Sequence, residues 1–175
     1  MMTTLKGDTI FLRPLEPEDL DYIYSIENNE ALWELSSTQT PYSRYLIKQY
    51  LEHAHKDIFE VKQLRLLISD YDGNELGLID IFEFDPKNLK AGIGILISDG
   101  SKRNKGIGSE ALQLLIDYCF THLNLHQLYC NISEDNQPSI KLFTKHNFNI
   151  VGTKKDWCLS NGKFKNELFL QLINS

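Results

Sequence analysis

The residues best suited to chemistry lie between Arg103 and Gly108, in the order Arg-Asn-Lys-Gly-Ile-Gly. An apolar run, Ile93 to Ile97, precedes them, and a helix-like run from Ile107 to about His122 follows. The pattern predicts a strand, a glycine-bearing turn and a helix. The first N–H groups of a helix have no partner within it, and the helix dipole adds positive potential there, so such a turn can seat a phosphate. Gly106 and Gly108 carry no Cβ and let an anion come close to the backbone. Lys102, Arg103 and Lys105 set cationic side chains beside it. The Gly-Lys-Ser/Thr of a nucleoside-triphosphate loop does not follow, and the glycine spacing does not fit a dinucleotide fingerprint.

Two acids on the strand before the glycine-bearing one, Asp80 and Glu83, are candidates to take a proton from an attacking group. Three positions apart, they face opposite sides of a regular strand; a bulge would change that. For either acid the alternative is a solvated carboxylate at a sheet edge. Glu27, Glu30 and Glu34 share one helix face if the first helix reaches that far, and such a stripe suits an ammonium group; it equally suits plain solvent. Trp33 and Tyr42 either line the mouth of an acceptor site or simply pack. The histidines at 53, 55, 122, 126 and 146 form no ligand set, and no metal is expected.

These residues need a frame. Thr9–Leu15, Leu64–Asp70, Leu76–Phe84, Lys90–Ser98, Gln127–Ser133, Phe148–Lys154 and Lys165–Ile173 read as strands. Leu20 to about Asn29, Arg44–Phe59, Ile107–His122 and Pro138–His146 read as helices. Gly92 and Gly94 inside a strand suggest a bulge or a close approach by another group. The order predicts one mixed α/β domain over the chain: a mostly antiparallel twisted sheet of about seven strands flanked by about four helices.

A length of 175 residues carries a sizeable core, and a net charge of −6 argues against nucleic-acid binding. Cys119, Cys130 and Cys158 make no Cys-x-x-Cys pair and are expected to be reduced core thiols in a cytoplasmic protein. Met1–Lys6 has no long apolar run, so no signal peptide and no membrane association are expected.

With Arg103, Gly106 and Gly108 at the spacing Arg/Gln-x-x-Gly-x-Gly/Ala, the chain resembles the GNAT superfamily of N-acetyltransferases. Further blocks resemble the bacterial spermidine and ribosomal-protein N-acetyltransferase branch: Leu12–Leu20, Glu27–Asn29, Asn124–Tyr129, Asn131–Phe148 and Asn161–Glu167. The resemblance implies a sheet splayed in the middle to hold acetyl-CoA as acetyl donor. It places the diphosphate on the backbone of Arg103, Asn104, Lys105, Gly106, Ile107, Gly108 and Ser109. It places the pantetheine arm beside Ile95, Leu96 and Ile97, where a strand N–H could polarise the thioester carbonyl. Asn136 matches a cofactor-contacting asparagine, with Ser139 near it, and Glu83 matches a strand acid of the branch, which makes it the preferred base. The implied reaction is direct attack by a primary amine, most simply of a polyamine or diamine such as spermidine; by position and residue type, Glu27, Glu30, Trp33, Glu34 and Asp80 are then the candidate acceptor-site residues. A protein N-terminus or another small amine is the alternative acceptor, and an acetyl-CoA-binding module with little catalysis is the alternative class. The branch also implies a homodimer or larger homo-oligomer. The chain departs from the family in three places. Phe143 stands where many members carry a tyrosine that protonates the leaving thiolate. Gly92 stands where the branch often has glutamate. His146-Asn147-Phe148 replaces a usual x-Gly-Phe.

Overall fold

The structure is a computed structural model that describes residues 4–98 and 106–175. Its strands are β1 (Ile10–Pro14), β2 (Leu64–Asp70), β3 (Glu75–Asp85), β4 (Lys90–Ile97), β5 (Gln127–Ser133), β6 (Asn149–Ser160) and β7 (Lys163–Ile173). They form one sheet in the order β1-β2-β3-β4-β5-β7-β6. All neighbours are antiparallel except β4 and β5, which run parallel. The helices are α1 (Leu20–Glu27), α2 (Trp33–Ser36), α3 (Arg44–Glu52), α4 (Ile58–Val61), α5 (Ile107–Thr121) and α6 (Gln137–Lys145), of which α2 and α4 are single turns. The mixed, mostly antiparallel architecture expected from the sequence is present.

Strand alternation divides the core between the two faces. Leu66, Ile68, Ile79, Ile81, Ala91 and Ile93 pack with Ala111, Leu112 and Leu115 of α5. Leu67 and Leu78 pack on the other face with Ile23 and Ile26 of α1 and Ile47 and Leu51 of α3. Each fully buried Leu or Ile contributes about 2 kcal/mol by leaving water, so the two-period pattern fixes which way every central side chain faces.

Three elements differ from expectation. The predicted helix over Arg44–Phe59 is broken: α3 ends at Glu52, and Asp57 starts α4 by accepting from the Phe59 N–H at 2.7 Å. Leu51 belongs to one face of the sheet and Ile58 to the other, so one straight helix could not bury both. Between Glu30 and Ser43, where the sequence predicts no helix or strand, a 3-10 turn (Glu30–Leu32) and α2 appear. The sixth strand is longer than expected, because its outer half is a mostly exposed run that stays paired to β7 past the register shift between Lys154 and Cys158. Cys119 and Cys130 are buried core thiols, pushed up to about 12 by burial, whereas Cys158 on β6 is only partly covered.

Candidate active site

Gly106 caps the start of α5 with φ 78, a left-handed conformation that favours glycine. The first intrahelical bond runs from the Glu110 N–H to the Gly106 carbonyl at 3.0 Å. The N–H groups of Ile107, Gly108 and Ser109 therefore precede the helical ladder and are the donors an anion would meet. A Cβ on Gly108 would make ordinary contacts, 3.5 Å to Leu142 and 3.9 Å to Ile95 and Ile97, so alanine fits there too. Arg103, Asn104 and Lys105 lie outside the described residues. Glu110 turns away from this end and accepts from the Thr9 N–H at 2.9 Å and from the Thr9 hydroxyl, tying α5 to the approach to β1.

Beside this helix the sheet opens. β4 and β5 pair only through Lys90↔Gln127, Ala91↔Leu128 and Gly92↔Tyr129. Beyond Gly92, β4 stays with β3 as far as Ile97, while β5 follows β7 to Ser133. Ile95, Leu96 and Ile97 thus lie on the strand edge past the parting. Their side chains anchor the strand on both faces: Ile95 and Ile97 pack toward α5, and Leu96 toward α1 and α3. Asn136 caps α6, its side-chain oxygen accepting from the Ser139 N–H at 3.4 Å, so both residues sit at one helix start near the gap.

Of the two causes expected for Gly92, a bulge or a close approach by another group, the second is present. The register of β4 against β3 is regular from Ile97 to Gly92; the irregularity lies in β3, between Phe82 and Asp85. A Cβ at Gly92 would come 2.2 Å from the Phe82 ring. Glycine is there to let that ring lie across the strand.

The Phe82 ring also walls a cavity of about 430 Å³ between the sheet and α1, α3 and the segment holding Tyr42. Two of the expected acceptor acids, Glu27 and Asp80, line it, but they are not free carboxylates. Arg65 lies between them: Nε and Nη2 reach Asp80 at 2.8 and 3.2 Å, and Nη1 reaches Glu27 at 2.8 Å. Burial would lower the Arg65 pKa, but the charge of Asp80 and the hydrogen bonds to it hold it well above its ordinary value. The cluster carries one net negative charge. The shared helix face of Glu27, Glu30 and Glu34 does not form: α1 ends at Glu27, Glu30 opens a separate turn, and Glu34 pairs with Lys165 of β7 at 2.5 Å. Trp33 folds back, its indole N–H donating to the Glu27 carbonyl at 2.8 Å, and is not in the cavity wall; Tyr42 is.

Glu83 occupies the β3 irregularity with φ 49. Its carboxylate accepts from the Tyr129 hydroxyl at 2.5 Å. The Tyr129 ring stands edge-on to Phe82 at 5.9 Å and stacks on Phe169 at 5.4 Å, on the face that carries the cavity. The bulge thus brings Glu83 to the same face as Asp80, which regular alternation forbids. Burial first, then the bond to Glu83, raises the Tyr129 pKa and keeps the phenol protonated. Sequence alone places Tyr129 in the block Asn124–Tyr129 but gives it no role at the site. It marks the last paired position before the strands part, a placement that only register reveals. Phe143 is buried at 3% exposure, edge-on to Phe148 at 5.1 Å.

Residues 9–149 match the model of the acetyltransferase (GNAT) domain family. The chain is 30% identical over 162 residues to spermidine N(1)-acetyltransferase of Escherichia coli (strain K12), covering 91% of this chain and 83% of that protein. It is 25% identical over 166 residues to spermidine N(1)-acetyltransferase of Vibrio cholerae, covering 94% and 92%. Its fold superposes with a TM-score of 0.86 on a crystal structure of spermidine N-acetyltransferase from Vibrio cholerae in complex with CoA and spermine, at 23% identity and covering 95% of this chain and 96% of that one.

Proposed function

The chain belongs to the acetyltransferase (GNAT) family, and from that premise we propose that it moves an acetyl group from acetyl-CoA to a primary amine of a polyamine or diamine such as spermidine. The observation that carries this reading is the parting of β4 and β5 at Gly92, between the open start of α5 and the Glu83–Tyr129 pair. The residues fit the donor. The N–H groups of Ile107, Gly108 and Ser109 would hold its diphosphate, and the edge of Ile95–Ile97 would hold its pantetheine arm. Acetyl-CoA supplies the activated acetyl group; the protein supplies position and electrostatics.

An alkylammonium has a reference pKa of about 10.4 and must lose a proton before it attacks. Glu83 takes that proton, and the Tyr129 hydroxyl fixes the carboxylate so that one oxygen faces the amine. The C–S bond of the donor would break as the C–N bond forms, and with Phe143 at the usual acid position the departing thiol, of reference pKa about 8.5, would take its proton from water. The net negative cluster of Glu27, Arg65 and Asp80 lines the cavity floor and favours an acceptor that carries a further positive charge. The 25–30% identity to spermidine acetyltransferases points the same way. The expected homo-oligomer has support in the β6–β7 hairpin at the sheet margin, which exposes Val151, Trp157, Leu159 and Phe164; light scattering that reports a monomer removes it.

Phe143 favours a second reading, acetyl-CoA binding without useful turnover, because no hydroxyl stands at the position where many members protonate the thiolate. A thiol-release assay over spermidine, a diamine, a monoamine and a peptide separates the two. Turnover with spermidine and not with the peptide supports the proposal. Peptide turnover alone moves the acceptor to protein N-termini. Calorimetric binding of acetyl-CoA with no turnover of any amine selects the second reading.

A further inference from the structure

His146 stands directly after α6 and bridges to α5. Its Nε2 lies 2.8 Å from the Ser109 Oγ, and its Nδ1 lies 3.0 Å from the Gln113 Oε1. The Gln113 amide nitrogen donates to the Asp117 carboxylate at 2.9 Å. Ser109, Gln113 and Asp117 are spaced four residues apart, so they form one row along α5.

The direction of every hydrogen bond in this row follows from one fact: an ionised carboxylate only accepts. Asp117 takes the Gln113 N–H, so the Gln113 oxygen faces His146. Nδ1 of His146 must then carry a proton in either charge state. When the ring is neutral, Nε2 is bare and takes the Ser109 O–H. The Ser109 oxygen then offers only lone pairs to its surroundings, which repel a phosphate. When the ring is protonated, Nε2–H donates to the Ser109 Oγ, and the Ser109 proton is released to point elsewhere.

We infer that His146 is a positioning residue that sets the polarity of the Ser109 hydroxyl, and so makes the grip of the α5 start on a diphosphate depend on pH. The inference rests on the reading that Ser109 belongs to the seat for the acetyl-CoA diphosphate. Only a protonated His146 turns Ser109 into a donor for that anion, so the protonated protein binds more tightly, and by linkage the bound diphosphate raises the His146 pKa. Among the described residues the charged groups that act on His146 are Lys145 on α6 and Asp117 on α5. Burial first, then Lys145, holds the ring below its ordinary pKa, and Asp117 opposes them. The free protein at neutral pH therefore holds Ser109 in the accepting orientation, and the grip strengthens as the solution is acidified.

The test uses dephospho-coenzyme A, which keeps the diphosphate and lacks the 3′-phosphate that itself titrates in this range. Affinity is measured from about pH 5 to about pH 8 for the full chain and for His146→Ala and Ser109→Ala, with circular dichroism confirming the fold of each. The wild-type protein is expected to bind about tenfold more tightly at the acid end, the value of one net hydrogen bond to a charged group. His146→Ala frees the Ser109 proton permanently. It should bind at the alkaline end at least as tightly as the wild type and show a flat profile. Ser109→Ala should keep only the small slope that charge attraction supplies. A purely structural histidine predicts weaker binding by His146→Ala at every pH, and that result overturns the inference. A full slope in Ser109→Ala overturns it as well. If none of the three proteins binds at any pH, the cofactor reading itself falls, an outcome distinct from either of these.

Discussion

Replacing Arg65 by methionine isolates the role of the cavity cluster. The substitution keeps most of the stem and removes three charge-assisted hydrogen bonds, two to Asp80 and one to Glu27. The three side chains are 28%, 31% and 16% exposed, so the site is mostly but not fully dry. Removing one partner of a fully buried pair costs about 3–5 kcal/mol, and an exposed pair is worth about 0–1 kcal/mol. For this intermediate burial the expected loss is about 2–3 kcal/mol, or roughly 5–10 °C in Tm for a chain of this size. The same change takes the cluster from one to two net negative charges. A second ammonium about 8 Å away, at an effective dielectric of about 20 and with salt screening, gains about 1 kcal/mol. The KM for a diamine should therefore fall about fivefold relative to that for a matched monoamine, even as stability drops. Differential scanning calorimetry and steady-state kinetics read the two effects separately. The combined change Glu27→Gln, Arg65→Met, Asp80→Asn leaves no orphaned charge, so it should recover most of the lost Tm and remove the preference for the diamine. If Arg65→Met shifts Tm by less than about 1 °C and leaves the KM ratio unchanged, the cluster neither braces the sheet nor tunes the acceptor site.

Glu83→Gln should lower kcat by about 100-fold with little change in Tm, because Glu83 is exposed and the role proposed for it is to take a proton, not to support the fold. Tyr129→Phe removes one hydrogen bond to that carboxylate and should lower kcat by about tenfold; a Glu83→Gln enzyme within about threefold of wild type removes it as the base. Asp19 is buried at 3% exposure and accepts from Arg13 at 2.8 and 2.9 Å and from the Glu16 N–H at 2.7 Å. Burial would raise its pKa, but these bonds together hold it below the carboxylate range, so the group adds stability above its unfolded pKa of about 3.9 that is lost as pH falls through the folded value. Asp19→Asn should lower Tm at neutral pH by an amount that shrinks on acidification, and a difference constant with pH would contradict this.

Much of the frame was legible in the residues themselves. The start of α5 at Ile107, the bounds of β2 and β5, and the reach of β4 follow from period, glycine and cap, all properties of residues close in sequence. The break between α3 and α4 was not legible, because apolar spacing continues through it and only the position of the sheet shows that Leu51 and Ile58 serve opposite faces. Gly92 was legible as a place of close approach, but not which group approaches: the Phe82 ring across the ladder is brought there by register.

The sequence alone determined the chemistry on offer: a glycine-bearing helix start of the kind that can seat a phosphate, acids on a neighbouring strand, and an ordered series of motifs shared with one family. Tertiary structure decided what those groups face. Arg65 meets Glu27 across 38 residues, Tyr129 meets Glu83 across 46, and Ser109 meets His146 across 37. Such pairings depend on strand register, on one bulge with a positive φ and on where two helices end beside each other. Local patterns carry no trace of them, because the energy that selects each register comes from burying the whole face of the sheet rather than from the few polar groups that the register brings together.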